Sequence, residues 1–438
     1  MNKQLLSYSL NKQFIKYVIP SMMAMLLGGF YYMIDGLFVG NKLGAEALAS
    51  INIVYPVQAV LNSLATGIGI GGSVLMSIEL GRNNLENSRR VIFNAISVLF
   101  IIGIVVPIFF LFQLHPILSF LGAEGSIYDG AKEYIYVILL GGLAPVLGNG
   151  LNPFIRNHGK TVLATLFMCS GLVTNIVLDY IYIYLFDWGL FGAGFATITA
   201  QVVVGVLNFS YLIFLSRKHI VMSYFIPKWQ FVKKFITIGL SPFGQTFIPS
   251  LIIVLTNWQC LTYGGDNGLA IYSVMSYLLS SVQLLLQGVG DGVQPLISYY
   301  FGAENYKTVT HLYKKTLLSS IGIGMFLMVI AFIFTTQLSS IFGISTSLLA
   351  DTNLAIRITS LSFVFFGIAR CTSAFLYAIG KTKFSALLIY LEPCLIAPIL
   401  LVSLGFFFGL NGIWFAYPCS QVMLCIVAII LRKKVVLG

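Results

Sequence analysis

The chain has 438 residues, of which 58% are hydrophobic and only 9% are charged, and its formal net charge is +11. Its mean hydropathy is +0.93. Because soluble globular proteins carry about 25% charged residues, this composition excludes a soluble fold. The basic residues are concentrated in alternate segments between the membrane spans, as described below. The positive net charge therefore indicates no nucleic-acid partner.

Apolar segments of roughly 18 or more residues, each long enough to cross a bilayer as a helix, recur along the whole chain. We number them spans 1 to 12. They lie at 16–39, 51–78, 91–114, 131–155, 161–185, 191–214, 235–258, 269–299, 316–337, 351–379, 384–404 and 410–431. The sequence therefore predicts an all-α membrane protein with twelve transmembrane helices.

The basic residues predict the orientation of these spans. If both termini are cytoplasmic, 21 of the 25 Lys and Arg residues fall in cytoplasmic segments. Lys42 and Lys132 fall outside, and Arg357 and Arg370 lie within span 10. Because positive charge is retained on the cytoplasmic side of a membrane, this asymmetry predicts that both termini face the cytoplasm.

The sequence repeats itself when it is shifted by 221 residues. Residues 43–84 then lie over the stretch that starts near 264, and the tripeptide "GKT" at 159–161 lies over "GKT" at 380–382. Such a duplication predicts two six-helix bundles, arranged as parallel repeats about a pseudo-two-fold axis along the membrane normal. We expect an N-terminal lobe at 1–215, a cytoplasmic linker at 216–234 and a C-terminal lobe at 235–438. Secondary transporters with a central cavity are built in this way.

Two short motifs resemble enzyme signatures, and the repeat argues against both. A P-loop needs a glycine five residues before each "GKT", where this chain has Phe154 and Phe375. The stretch "GVGD" at 288–291 resembles the motif of intramembrane aspartyl proteases, but its counterpart "GIGI" at 67–70 has no acid. The shared glycines indicate close helix packing. We expect a protein that is not an enzyme and has no catalytic residues.

Four polar residues of the N-terminal half are predicted to share one layer near the outer side. Asp35 lies near the outer end of span 1, and Asp179 lies about two turns below the outer turn between spans 5 and 6. Asn175 precedes Asp179 by one turn on the same helix face, and Thr197 of span 6 lies at a similar depth. These oxygen ligands suit Na⁺ or H⁺, and the residue spacing does not distinguish the two ions. Alternatively, each polar group bonds a neighbouring helix.

The C-terminal half has a different set of buried polar residues. Arg370 of span 10 and Glu392 of span 11 each lie about ten residues from the "GKT" loop, and Asp291 of span 8 is a rival partner for Arg370. A pair that only holds helices together and a second proton site are both compatible with this spacing.

Taken together, the stretches "MIDGLFVGNKLGAEALAS", "GIGIGGSVLMSIELGRNN" and "GVGDGVQPLISYYFGAENY" resemble the multidrug and toxic compound extrusion (MATE) transporters, closest to their prokaryotic branches. The resemblance implies an antiporter in the plasma membrane of a prokaryote, which exports cationic and amphipathic drugs while Na⁺ or H⁺ enters, without another cofactor. We expect it to act as a monomer.

In that family the cation site consists of an aspartate in span 1, an Asn-x-x-x-Asp in span 5 and a threonine in span 6, which correspond to Asp35, Asn175, Asp179 and Thr197 here. The resemblance also implies a helix kink at Pro20. The residues that it places along the drug cavity are Tyr31, Asn149, Asn152 and Met168.

The chain departs from the family pattern in its second half, and a related function competes with drug export. Span 7 has no acid and span 10 has only Asp351, at its outer edge, while Asp291 replaces an uncharged residue and has no assigned role. Flippases for lipid-linked sugars share the bundle plan, but they line the cavity with basic residues. The predicted N-terminal spans contain aspartates and no buried Lys or Arg, which favours cationic cargo.

Overall fold

A computed structural model describes residues 8–217, 220–341 and 344–435. Lys3 and Lys218, which the orientation argument counts as cytoplasmic, lie outside these ranges. Within them every regular element is a helix, and no strand is present. In the same ranges nine helices are long and apolar enough to cross a membrane, and a bent helix pair makes ten.

The helices follow the predicted spans in order. Spans 1 to 6 are formed by Leu10–Leu43, Ala45–Gly81, Leu85–Phe112, the pair Gly125–Leu140 and Leu143–Asn157, Thr161–Asp179 with the π-helical turn Tyr180–Leu185, and Gly189–Ser216. Spans 7 to 12 are formed by Trp229–Gly302, Tyr306–Ile333, the pair Leu349–Ser360 and Phe363–Ala378, Thr382–Leu391 with the π-helical turn Glu392–Ile396, and Ala397–Lys433. Two short helices, Leu114–Phe120 and Thr335–Ile341, follow spans 3 and 9.

Two glycines raise the count of spans from ten to twelve. Trp229–Gly302 is interrupted at Gly265, with φ 55°, and Ala397–Lys433 is interrupted at Gly409, with φ 58°. A positive φ is easily adopted only by glycine, and it turns the chain sharply between spans 7 and 8 and between spans 11 and 12. The predicted all-α fold with twelve transmembrane helices is confirmed.

Span 4 is not the continuous helix that the apolar segment at 131–155 predicts. Its two pieces are bent by 56° where Gly141 and Gly142 separate them. Span 10 breaks at the matching place, between Ser360 and Phe363. The internal duplication is therefore visible in the backbone structure as well as in the amino-acid sequence.

The chain divides into two compact units, residues 1–247 and 248–438. The first part of span 7 belongs to the N-terminal unit because glycines let it approach span 2 closely. A Cβ atom added at Gly71 would lie 2.0 Å from the carbonyl oxygen of Phe235, and one at Gly239 would lie 2.1 Å from that of Gly67. These contacts support the packing role inferred for the "GIGI" glycines. The predicted limits of lobes and linker stay a prediction.

The described part of the predicted linker is fixed to span 3. The side chain of Asn94, which is buried, donates from Nδ2 to the carbonyl of Tyr224 at 2.7 Å and accepts from the backbone N–H of Lys228 at 2.6 Å. Ser97 donates to the carbonyl of Phe225 at 2.6 Å. Residues 224–228 are thus part of the N-terminal unit.

Candidate functional site

The structure brings Asp35 and Asp179 together inside the N-terminal unit. Both side chains are buried, with 6% and 0% of their surface exposed, and their carboxyl groups lie close enough to interact electrostatically. Asn175, also fully buried, lies one turn before Asp179 on the same helix. The two carboxylates of the predicted layer therefore form one site, although 144 residues of chain separate them.

The ends of spans 1 and 5 that are predicted to face outward are joined close to this layer. The ammonium group of Lys42 lies 3.1 Å from Oδ1 of Asp187. Lys42 follows Asp35 by seven residues in span 1, and Asp187 follows Asp179 by eight residues after span 5. Directly after Asp179 the α-helix gives way to the π-helical turn Tyr180–Leu185. Such π-helical turns inside α-helices occur often at functional sites. Their changed hydrogen-bond pattern alters the direction in which nearby side chains point.

The layer contains buried polar atoms without a hydrogen-bond partner of normal geometry. They are Oδ1 of Asp35, both carboxylate oxygens of Asp179, both amide atoms of Asn175 and the hydroxyl of Thr197. Buried polar atoms are almost always bonded, so a cluster of exceptions needs an explanation. A donor set of carboxylate, amide and hydroxyl oxygens fits Na⁺, and the carboxylates alone fit H⁺. Within the described ranges no three His, Cys, Asp or Glu side chains gather as a metal site.

Two further residues, which the sequence analysis missed, border the layer. Tyr134 of span 4 is buried, and its hydroxyl interacts electrostatically with both aspartates, with Gln58 of span 2 and with Thr197. Depth could have identified it, because Tyr134 lies near the predicted outer end of its span, as Asp35 does. However, a tyrosine at that depth is more commonly part of the interfacial aromatic belt. Its position alone therefore does not indicate a role in an ion site.

The residues predicted to line a drug cavity are distributed along spans 1, 4 and 5. Asn152 is buried and donates to the carbonyl of Ala164 at 2.9 Å, which joins spans 4 and 5. Asn149 donates to Oδ1 of Asn62 at 3.1 Å. Tyr31 and Met168 are half-buried. Their role towards a substrate stays a prediction.

Arg156 corrects one sequence-based statement. It lies just beyond the predicted span 4 at 131–155, but the helix Leu143–Asn157 includes it, and its side chain is buried in the N-terminal unit. Its Nη1 donates to the hydroxyl of Ser21 at 3.3 Å. The N-terminal spans therefore do contain a buried basic residue, near the beginning of span 1.

In the C-terminal unit Arg370 pairs with Glu392. Nη2 of Arg370 lies 3.6 Å from Oε2 of Glu392, both side chains are buried, and Gln421 donates from Nε2 to the other carboxylate oxygen. Asp291 has different partners: it accepts a hydrogen bond from the Tyr377 hydroxyl at 2.7 Å. Of the two partners considered for Arg370, the structure thus selects Glu392.

Twelve membrane spans in two duplicated halves, with a buried carboxylate pair in one of them, define the class of secondary membrane transporters. The sequence model of the MatE family matches residues 20–181 and 243–402. The chain belongs to the MatE family, as its sequence pattern predicts.

Bacterial relatives and solved structures agree with this membership. The chain is 26% identical to the multidrug export protein MepA of Staphylococcus saprophyticus, over 97% of this chain and 93% of that protein. A crystal structure of MATE in the bent conformation has a TM-score of 0.91 at 25% identity and covers 99% of this chain and 97% of that one. An outward-facing MATE family transporter of the MOP superfamily has a TM-score of 0.93 at 24% identity, with 99% and 98% covered, and it supports the fold alone.

Proposed function

We propose that this protein is an antiporter that exports cationic, amphipathic compounds by alternating access while Na⁺ or H⁺ flows inward. The observation that carries the proposal is the buried contact between Asp35 and Asp179. In water-excluded surroundings a carboxylate is stable only when an opposite charge or a proton compensates it. A layer with two such groups therefore binds and releases a cation.

Coupling follows from competition for the same negative charge. When Na⁺ or H⁺ occupies the layer, the attraction between Asp35, Asp179 and a cationic compound falls, because two unit charges 4 Å apart interact by about 4 kcal/mol at an effective dielectric constant of 20. The ion and the compound thus weaken each other's binding. Couplings of this kind typically amount to about 1–3 kcal/mol, or roughly 5- to 150-fold in affinity, and they act equally in both directions.

The arrangement in the cell completes the proposal. We place the protein as a monomer in the plasma membrane of a prokaryote, with both termini in the cytoplasm. MepA, its bacterial relative, is named a multidrug export protein, which supports small drugs as cargo. The division into lobes at 1–215 and 235–438 with a linker between them is part of the same proposal, as is a cavity lined by Tyr31, Asn149, Asn152 and Met168.

A flippase for lipid-linked sugars is the second candidate. Arg156 is the buried basic residue that favours it, since a pyrophosphate head needs cationic partners. However, Arg156 donates to Ser21, whereas the two aspartates repel an anion. Transport of a fluorescent lipid-linked pyrophosphate, together with failure to move any cationic dye, would establish the flippase instead.

The test uses purified protein in liposomes loaded with a fluorescent cationic drug. Counterflow is measured under a Na⁺ gradient and, separately, under a H⁺ gradient, for wild type, Asp35→Asn and Asp179→Asn. Asp266→Asn, which removes an exposed acid, is the matched control. We expect one gradient to drive transport in wild type and in the control and in neither site variant. Gradient-driven transport that persists in both site variants would refute the mechanism.

A further inference from the structure

The tripeptide "GKT" at 159–161 lies beside the proline of span 1. Pro20 has no backbone N–H, so the carbonyl of Lys16, four residues earlier, loses the donor that a helix normally supplies. In the structure the hydroxyl of Thr161 donates to that carbonyl at 2.7 Å. A side chain of span 5 thus replaces the missing backbone bond of span 1.

The contact continues for one more turn. Thr165, one turn after Thr161, donates to the carbonyl of Pro20 at 2.9 Å. Arg156, at the end of span 4, donates to the adjacent Ser21. The side chains of Thr161, Ser21 and Arg156 are all buried. Buried backbone carbonyls beside a helix-interior proline need such donors, because little water reaches them in a membrane protein.

We propose that Thr161 and Thr165 form a latch that holds span 1 against span 5 at Pro20. Both are positioning residues, since they act on the backbone of span 1 and touch no candidate ion ligand. The latch itself is independent of the proposed function. Its consequence for transport rests on that function, because the same helix carries Asp35 fifteen residues, or roughly 22 Å, further on.

The Thr165 part of the latch can open at low cost. The hydroxyl of Thr165 has a second acceptor within reach, the carbonyl of Thr161 in its own helix, at 3.1 Å. When span 1 moves away, this hydroxyl keeps a hydrogen bond by turning to that acceptor. Two alternative partners for one donor make the contact reversible, which is what distinguishes a switch from a permanent link.

Hydrogen–deuterium exchange in detergent, without drug or coupling ion, tests the latch directly. Valine has the shape of threonine and no donor, so Thr161→Val and Thr165→Val should speed exchange of the amides at 17–24 by roughly 3- to 10-fold each, the worth of one hydrogen bond. Thr174→Val is the matched control, because its hydroxyl donates to the carbonyl of Ser170 within span 5. Thr161→Ser, which keeps the hydroxyl, should exchange as wild type does.

A double variant separates the latch from general loosening. In Pro20→Ala the new backbone N–H can donate to the carbonyl of Lys16, so Thr161 is no longer needed there. We expect Thr161→Val to accelerate exchange less than twofold in that background. Equal effects of Thr161→Val with and without Pro20→Ala, or equal exchange in Thr161→Val and Thr174→Val, would overturn the proposal. Neither result depends on ion coupling, so the outcome is separate from that of the transport test.

Discussion

Asp35 and Asp179 interact side chain to side chain, yet they come from spans at opposite ends of the N-terminal half. When ionised, each adds a negative charge to a place that excludes water. Their contact therefore lowers stability until a cation or a proton compensates it, and this dependence can be measured without any transport assay.

The first prediction concerns thermal stability in detergent. Raising the concentration of the coupling ion should raise the Tm of the wild type, because a ligand bound only to the folded state contributes about 2.7 kcal/mol at 100 times its Kd. In Asp35→Asn and Asp179→Asn most of this increment should disappear, while the Tm without the ion should not fall. Asp266→Asn should respond as wild type does. An unchanged ion response in both site variants would contradict a shared ion site.

The second prediction concerns Tyr134. Its hydroxyl lies beside Thr197, Gln58 and the two aspartates and interacts with them electrostatically. Tyr134→Phe removes a buried hydroxyl from the layer without changing the shape of the core, and one polar interaction of this kind typically contributes about 0.5–1.5 kcal/mol. We expect a roughly 3- to 10-fold weaker ion affinity, measured by titrating the Tm against ion concentration. Tyr136→Phe, two residues later on an exposed face, should leave the affinity unchanged. Equal affinities in the two variants would remove Tyr134 from the site.

Composition and periodicity were sufficient to predict the twelve spans, because an apolar run of bilayer length has few alternatives. They could not predict the bend in span 4, since Gly141 and Gly142 are compatible with a helix as well as with a break. The helix Leu10–Leu43 also extends beyond the predicted segment 16–39 at both ends. Polar helix ends outside the hydrocarbon carry no hydrophobic signal, so sequence alone leaves such ends undefined.

Depth along each span was sufficient to place Asp35 beside Asp179, because both carboxylates are unusual in an apolar run. It failed for Tyr134 and Arg156, whose residue types are ordinary near a membrane interface. The partner of Arg370 was left open by the spacing, and only the packed helices select Glu392 over Asp291. Which residues face each other depends on helix rotation, and a single sequence carries little information about it.

The third prediction concerns Arg370 and Glu392. Removing one member of a buried ion pair leaves the other charge uncompensated and typically costs about 3–5 kcal/mol. Arg370→Met and Glu392→Gln should therefore each lower the Tm strongly. The double variant Arg370→Met with Glu392→Met should recover much of the loss, because a buried pair can be replaced by apolar packing.

The surface pair of Arg90 and Glu86 supplies the comparison for this test. It lies at the exposed start of span 3, so Glu86→Gln should barely change the Tm. If the double variant is stable but loses transport that Glu86→Gln retains, the pair serves as a second proton site. If it is stable and transports normally, the pair only holds spans 10 and 11 together.

The fourth prediction concerns the anchor of the predicted linker. Asn94→Ala leaves the carbonyl of Tyr224 and the N–H of Lys228 without their partner, and each lost hydrogen bond typically costs about 0.5–1.5 kcal/mol. The segment 220–228 should then detach from span 3 far more often, so trypsin should cut after Lys228 at least tenfold faster. Intact mass spectrometry of timed digests measures that rate.

Asn87→Ala is the matched control for this anchor. Asn87 lies two turns earlier on span 3, and its amide contacts Glu79 rather than the linker. It should be cut at the wild-type rate. Equal rates for Asn94→Ala and wild type would mean that the linker is held by Ser97 and the aromatic contacts of Phe93 with Tyr224 and Phe225. Because Asn94 satisfies both a donor and an acceptor of the linker backbone, we expect its loss to have the larger effect.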